Sequence, residues 1–391
     1  MEKQKFYKVL LIGITLGGFL FYRNVNAQSI NQNTYIFLPI ILNKYCGYGY
    51  CKFIGIFMDV PMWNRLTVSE MDKVNNISSV KHSVVGWSIS LENKAFLPEA
   101  SISMSNNFYG QLEALWEKGY VSFINISTEP SYPWTDNKSC PYNASAKDIA
   151  EGKCDNAIDK MAELYKSWID KGANRKAFIA PLPEMNGVTI TNGPWTSYGG
   201  DADNFKNAFA RIQQRFESKG VSKNMVWWVF APNGWNDSTL PQHAFEKYYP
   251  GHDLVDVLAF SSYNFGYCWK AYQSNSQGWY EFESVFKPYI DRFKKLAPSK
   301  PIIIAQTGVT AEDGNNIYKY LDKKNDWLEN SYRKLAHEDS VLGVVYFDAE
   351  PDCKWSITKY EEKFKQGYEK GTMYFLYLTA VELDQFIKKE R

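Results

Sequence analysis

Carboxylates, side-chain amides and indoles recur at one kind of place in this 391-residue chain: just after short runs of apolar, β-branched and aromatic residues. Asp59 and Trp63 follow the first run, Trp87 and Glu92 the second, and Glu129, Tyr132 and Trp134 the third, in "STEPSYPW". Glu184 and Asn186 follow the fourth ("APLPEMNG"), Asn233 and Trp235 the fifth ("FAPNGWND"), and Tyr263 and Asn264 the sixth ("FSSYNFG"). Gln306 follows the seventh, and Asp348, Glu350, Asp352 and Trp355 the eighth. Cations, which phosphates would require, are almost missing from these places. Acid groups beside aromatic platforms suit neutral sugars, whose C–H faces stack on rings. Cutting a glycosidic bond takes two carboxyl functions: one protonates the leaving oxygen, the other attacks carbon or activates water.

Glu184 is the best candidate for the acid. It follows an apolar run inside a proline-rich turn closed by glycine, a setting that dehydrates a carboxyl and raises its pKa toward working pH. The competing reading is a capping glutamate, or one paired with Arg175. Trp134, Trp235, Trp269 and Trp355 are candidate sugar platforms, with core packing as the alternative. Asn186, Asn233, Tyr263 and Asp348 are expected to line the same mouth. The aromatic content, 13 Trp, 27 Tyr and 24 Phe, fits either a sugar-stacking groove or a large aromatic core. Asp348, Glu350 and Asp352 read as a solvated acidic loop, with calcium as the alternative.

The positions make sense only if the apolar runs are strands. Eight are expected: 53–60, 83–89, 121–126, 177–181, 225–231, 256–260, 301–305 and 341–347. Amphipathic stretches at helical spacing separate them, at 107–118, 154–171, 202–219, 285–295 and 324–336, with a last helix near 358–370. Eight such units over this length fit an α/β fold of one kind, a single-domain (β/α)8 TIM barrel. An open doubly wound sheet would want a glycine-rich turn after the first strand, and "FMDVPMW" has none. In a barrel the C-terminal strand ends form the active site, so all the polar residues above would converge.

In this order the motifs resemble glycoside hydrolase family 26, the endo-β-mannanases and their relatives. "PLPEMNG" resembles that family's acid/base segment, "FSSYNFG" its sixth-strand segment and "KPIIIAQTG" its seventh. The resemblance covers about residues 53–368. It implies a (β/α)8 glycosidase acting on a β-linked polysaccharide such as β-mannan. It puts Glu184 at the acid/base position and Gln306 at the nucleophile position, with Tyr263 holding residue 306. Two residues depart from the pattern. Pro183 stands where the family usually has histidine, and Gln306 where it has glutamate. An amide neither carries the charge that stabilises an oxocarbenium-like transition state nor forms a stable glycosyl ester. Either another carboxylate (Asp348, Glu129 or Asp59) activates water, or the substrate's own acetamido group assists. Otherwise the glutamine was substituted for a glutamate, or the barrel binds glycans without cutting them.

The rest of the chain bounds the reading. A net charge of +1 offers no field for nucleic acid. There is no dinucleotide or phosphate-binding glycine motif, and no cofactor is expected. Lys3, Lys5 and Lys8, an apolar run over 9–21 and Val25-Asn26-Ala27 read as a signal peptide (1–27) cleaved near Ala27, so a secreted or extracytoplasmic protein is expected. A lead-in segment would occupy 28–51, the barrel 52–372, and a helical tail packed on the outside 373–391. The mature chain is expected to have no membrane span and to act as a monomer. In an oxidising compartment the six cysteines pair by proximity as Cys46–Cys51 and Cys140–Cys154, leaving Cys268–Cys353; zinc, with no Cys-x-x-Cys and scattered histidines, is the weaker reading.

Overall fold

The structure is a computed structural model, and it describes residues 51–58, 68–92, 96, 108–128, 139–172, 174–187, 196–234, 244–268, 278–313, 316–350 and 353–389. Eight parallel strands close on themselves in chain order. They are β1 (Phe53–Met58), β2 (Val84–Ser90), β3 (Val121–Ser127), β4 (Phe178–Pro181), β5 (Trp227–Phe230), β6 (Val257–Ser261), β7 (Ile302–Thr307) and β8 (Val341–Asp348). The expected (β/α)8 barrel is therefore the observed fold, and each strand falls on one of the eight apolar runs.

The runs are continuously apolar because parallel barrel strands are buried on both faces. Phe53, Phe57, Phe123, Phe178, Trp227, Val229, Ile303 and Val345 fill the interior. Ile54, Ile56, Ile124, Ile179, Trp228 and Ile304 join the cluster shared with the helices. Two interior phenylalanines need glycine opposite them. A Cβ on Gly86 would meet the Phe57 ring at 2.4 Å, and one on Gly343 the Phe53 ring at 2.4 Å.

Ten α-helices surround the strands among the described residues: α1 (Val68–Asn76), α2 (Tyr109–Glu117), α3 (Ala146–Ala150), α4 (Asp155–Ile169), α5 (Ala202–Ser218), α6 (Phe282–Val285), α7 (Lys287–Leu296), α8 (Leu321–Ala336), α9 (Glu361–Thr372) and α10 (Ala380–Lys389). In α4 the buried residues Ala157, Ile158, Met161, Ala162, Tyr165 and Trp168 recur at one-turn spacing. The helix expected over 285–295 is α7, and the short α6 precedes it. Pro288 sits in the first turn of α7, where its missing N–H is tolerated, and a new helix starts there.

The tail, expected as a helix packed on the outside, lies against one end of the barrel. It closes the N-terminal end of the barrel. Leu378, Ala380, Leu383 and Ile387 belong to the same apolar cluster as the barrel interior. Leu376 N–H donates to the Lys52 carbonyl at 2.8 Å, and Leu378 N–H to Ser83 Oγ at 2.7 Å. Asp384 receives the Trp227 indole N–H at 3.1 Å and Lys176 Nζ at 2.7 Å. An open barrel end exposes apolar side chains, and covering them is the physical reason for the added helix.

Disulfides join Cys140 to Cys154, as proximity suggested, and Cys268 to Cys353, the pair that was left. Cys51 is also disulfide-bonded; the expected partner Cys46 lies outside the described residues. No helix among the described residues is long and apolar enough to cross a membrane.

Candidate active site

The turn after β4 is built against its intrinsic preference. Leu182 and Glu184 have φ of +52° and +59°, the left-handed region that a side chain enters at a cost of about 1–2 kcal/mol. Hydrogen bonds from three sides hold them there. Leu182 N–H donates to the Ile126 carbonyl of β3 at 2.7 Å, and Glu184 N–H to the Ala231 carbonyl after β5 at 2.8 Å. Tyr198 O–H caps the Pro183 carbonyl at 2.9 Å. Asn186 completes the bracket. Its Nδ2 donates to the Asn233 carbonyl at 2.9 Å, and its Oδ1 accepts the Asn233 N–H at 2.7 Å. At 1% exposure, Asn186 is thus a clamp on backbone and not an open contact for a ligand.

Burial pushes the pKa of the Glu184 carboxyl up, and the nearby Ser261 at the end of β6 and Asn233 amide only partly oppose the rise. Arg175, its alternative partner in sequence, is engaged with Glu113 instead.

Gln306 owes its aim to an irregularity in β7. Ile304 pairs with Phe260 of β6, but the next pair is Gln306 with Ser261. On the other side Ile304 pairs with Val344, and Thr307 with Tyr346. β7 therefore carries one extra residue at Ala305–Gln306, a bulge that re-aims the side chain following it. With regular alternation the inward set would run through Ile303 and Ala305. The bulge brings Gln306 level with Ser261, where its Oε1 accepts from Tyr263 O–H at 2.7 Å. Ser261 thus stands near both candidates, close to Glu184 and with its backbone in register with Gln306.

Several expected contacts take other roles. Trp355 is 2% exposed, packed by Tyr263 (5.2 Å between centroids) and Phe265 (5.0 Å) over Gly308, so it forms the wall behind Tyr263 and has no open face for a sugar. Asp348 is spent on the loop after β8. Its Oδ1 accepts from Ile357 N–H at 2.6 Å and Thr358 N–H at 3.3 Å, and its Oδ2 accepts from the Thr358 hydroxyl. It is therefore neither a base on water nor a solvated loop acid. Lys324 Nζ and Tyr346 O–H tie the same loop by donating to the Trp355 carbonyl at 3.0 and 2.7 Å. Burial pushes Lys324 down to about 7. Glu92 accepts from Asn143 N–H at 2.5 Å, and Glu350 pairs with Lys359 at 2.6 Å. Trp134, Trp235 and Trp269 lie outside the described residues, as do Asp59, Trp63, Glu129, Tyr132 and Asp352.

Sequence reasoning missed Ser261, although it stands two residues before Tyr263 in the quoted sixth-strand segment. It also missed the Asn186–Asn233 clamp. Among the described residues one group, Cys268, Glu312 and Cys353, lies close enough to hold a metal ion, but its two sulfurs are bonded to each other.

No protein-family profile and no curated sequence matches the chain. Solved structures do match in fold, many of them family 26 mannanases. The catalytic domain of the Bacillus sp. JAMB-750 GH26 endo-β-1,4-mannanase superposes with a TM-score of 0.58 at 14% identity, over 88% of this chain and 90% of that one. The Bacillus subtilis mannanase man26 gives 0.53 at 15%, over 89% and 93%. A β-mannanase from a symbiotic protist of the termite Reticulitermes speratus, complexed with gluco-manno-oligosaccharide, gives 0.51 at 14%, over 90% and 93%. The chain shares the barrel of these enzymes over nearly its whole described length.

Proposed function

We propose that the chain is a secreted, glycoside hydrolase-like protein of the family 26 type, acting on a β-linked polysaccharide such as β-mannan, with Glu184 as general acid and base. One observation carries the reading. Burial raises the pKa of the Glu184 carboxyl, no cation is paired with it among the described residues, and nearby Ser261 stands in register with residue 306. The neighbours named as mannanases support the substrate class. The division into a signal peptide ending near Ala27, a lead-in to residue 51, a barrel to 372 and a tail is part of the proposal.

In this reading Glu184 gives its proton to the glycosidic oxygen as the bond to the anomeric carbon breaks. Gln306 is the obstacle. Its Oε1 accepts from Tyr263, which leaves the Nε2 donor as its other face. A donor does not stabilise positive charge at the anomeric carbon, but it does bind a sugar hydroxyl or an acetamido carbonyl. The same bond therefore favours a second reading, a barrel that holds glycans without cutting them. Of the other strand-end acids, Asp348 is engaged elsewhere, so a working second carboxylate would be Asp59 or Glu129.

Reducing-end release from β-mannan, β-glucan and xylan tests both readings, using the parent chain, Gln306→Glu, Glu184→Gln and the double variant. The expected result is cleavage of β-mannan by Gln306→Glu, about 100-fold or more above the parent. Adding Glu184→Gln should remove about 10²–10⁴-fold of it. Binding of mannan without cleavage by any variant would support the second reading. Neither binding nor cleavage would sink both.

A further inference from the structure

β6 and β8 are not neighbours in the barrel: β7, which presents residue 306, lies between them. The loops that follow β6 and β8 nevertheless meet at two points. The Cys268–Cys353 disulfide joins them across 85 residues of chain, and the Glu312 carboxyl, from the loop after β7, lies within 4.8 Å of both sulfurs. Rings join them as well: Trp355 packs on Tyr263 and Phe265, with centroids 5.2 and 5.0 Å away. Gly308, two residues after Gln306, makes room for this contact. A Cβ there would meet the Trp355 ring at 3.1 Å and the Tyr263 ring at 3.5 Å, so a larger residue would press on both.

The disulfide and the rings are coupled through short backbone turns. Cys268 N–H donates to the Phe265 carbonyl at 3.0 Å, and Trp355 N–H to the Cys353 carbonyl at 3.0 Å. Each half-cystine is thereby fixed to the ring beside it. The rings in turn bear on one hydroxyl. Phe265, Phe347 and Trp355 pack around Tyr263 at 5.7, 5.8 and 5.2 Å, and Tyr263 O–H donates to Gln306 Oε1 at 2.7 Å. Walls on three sides restrict the tyrosine to one rotamer. An amide can present either its oxygen or its nitrogen to a ligand, and this hydrogen bond decides which: the oxygen is taken, and the Nε2 donor is left.

We infer that the Cys268–Cys353 disulfide is a strap across the end of β7 and that Trp355 is a positioning residue: together they hold the Tyr263 hydroxyl on residue 306 and so set which end of that side chain meets a sugar. The inference rests on residue 306 belonging to the glycan site proposed above. Without the strap, Tyr263 gains room, its bond to residue 306 becomes intermittent, and either end of the amide faces the ligand.

The first test needs no turnover. In the full chain labelled with 3-fluorotyrosine, the ¹⁹F signal of Tyr263 is assigned by its loss in Tyr263→Phe. Cys268→Ser/Cys353→Ser should move and broaden this signal. Trp355→Ala should move it too, whereas Trp355→Phe, which keeps a ring, should leave it near the parent position. Cys140→Ser/Cys154→Ser removes the disulfide between the loop after β3 and the start of α4; it should lower thermal stability and leave the signal in place. If the Cys268/Cys353 double variant fails to fold, Trp355→Leu, which keeps the disulfide and an apolar filling, should still move the signal. An unmoved signal in the folded Cys268/Cys353 and Trp355 variants, or an equal shift in the Cys140/Cys154 control, overturns the strap. In the Gln306→Glu background, loss of the strap should lower kcat by about 10- to 10²-fold with KM changed less than about threefold. The acid limb of the profile should also rise, because the new carboxyl loses a donor to its charged form. A moved signal with neither cleavage nor mannan binding by any variant keeps the strap and fails the glycan reading. Cleavage with an unmoved signal fails the strap alone.

Discussion

Glu184 follows β4 and Asp348 ends β8, so the two carboxylates stand at the mouth of the barrel on opposite sides of its strand order. Asp348 gives both oxygens to the loop at Ile357 and Thr358, and that loop carries Trp355 against Tyr263. At Glu184 the backbone does the holding: its N–H is bound to the Ala231 carbonyl just after β5, its turn is strained, and burial raises the pKa of its carboxyl, which meets no cation among the described residues. Both residues were candidates because of where they stand on a strand. What separates them is the kind of partner. A carboxylate that accepts several fixed N–H and O–H donors is a structural cap, and one whose pKa burial raises, away from any cation, can exchange protons.

The contrast can be broken most directly by activity. In a cleaving background such as Gln306→Glu, Glu184→Gln should lose about 10²–10⁴-fold in kcat, whereas Asp348→Asn should keep kcat within about threefold. Equal losses would erase the distinction. Stability should answer in the opposite sense. Asp348→Ala orphans three donors and should cost about 2–3 kcal/mol in urea unfolding.

Glu184→Gln should not destabilise. The folded-state pKa of Glu184 lies above its unfolded value, so the stability it contributes is present at acid pH and lost as pH rises through the shifted value. The amide variant should therefore unfold at higher urea than the parent at pH 7–8, with the difference shrinking toward pH 4. A lower midpoint would show that the carboxylate is structurally needed.

A smaller effect sharpens what burial does without chemistry. His82 is fully buried between Asn75 Oδ1 (3.1 Å) and Tyr368 O–H (2.8 Å), and burial pushes it down to about 3. Its folded pKa is depressed, so the unfolded chain takes up the proton first. Unfolding free energy should fall from pH 6.5 downward, with this residue adding at most about 1.4 kcal/mol per pH unit. His82→Gln should flatten that part of the curve.

Much of this was legible in the chain. "KPIIIAQTG", "FSSYNFG" and "PLPEMNG" each join a buried strand to a polar end, and apolar runs of that length bounded by turns are strands in a parallel barrel. The short helix α3 left a signal that went unused. Ser145 and Asp148 form a capping box, a pattern readable as Ser-x-x-Asp. The fates of Trp355 and Asp348 left none, because an indole or carboxylate after a strand looks the same whether it faces the mouth or the loop beside it.

The amino-acid order was enough to establish the period of the elements, their number and sequence, and which polar residues fall at strand ends, because these depend on neighbours along the chain. It did not reveal that β7 bulges before Gln306, that Asn186 grips the next loop, or that the tail plugs the barrel. Each of these depends on residues far apart in sequence. Register, hydrogen-bond partners and burial are properties of the closed barrel, and they arise only when its eight strands and the tail meet.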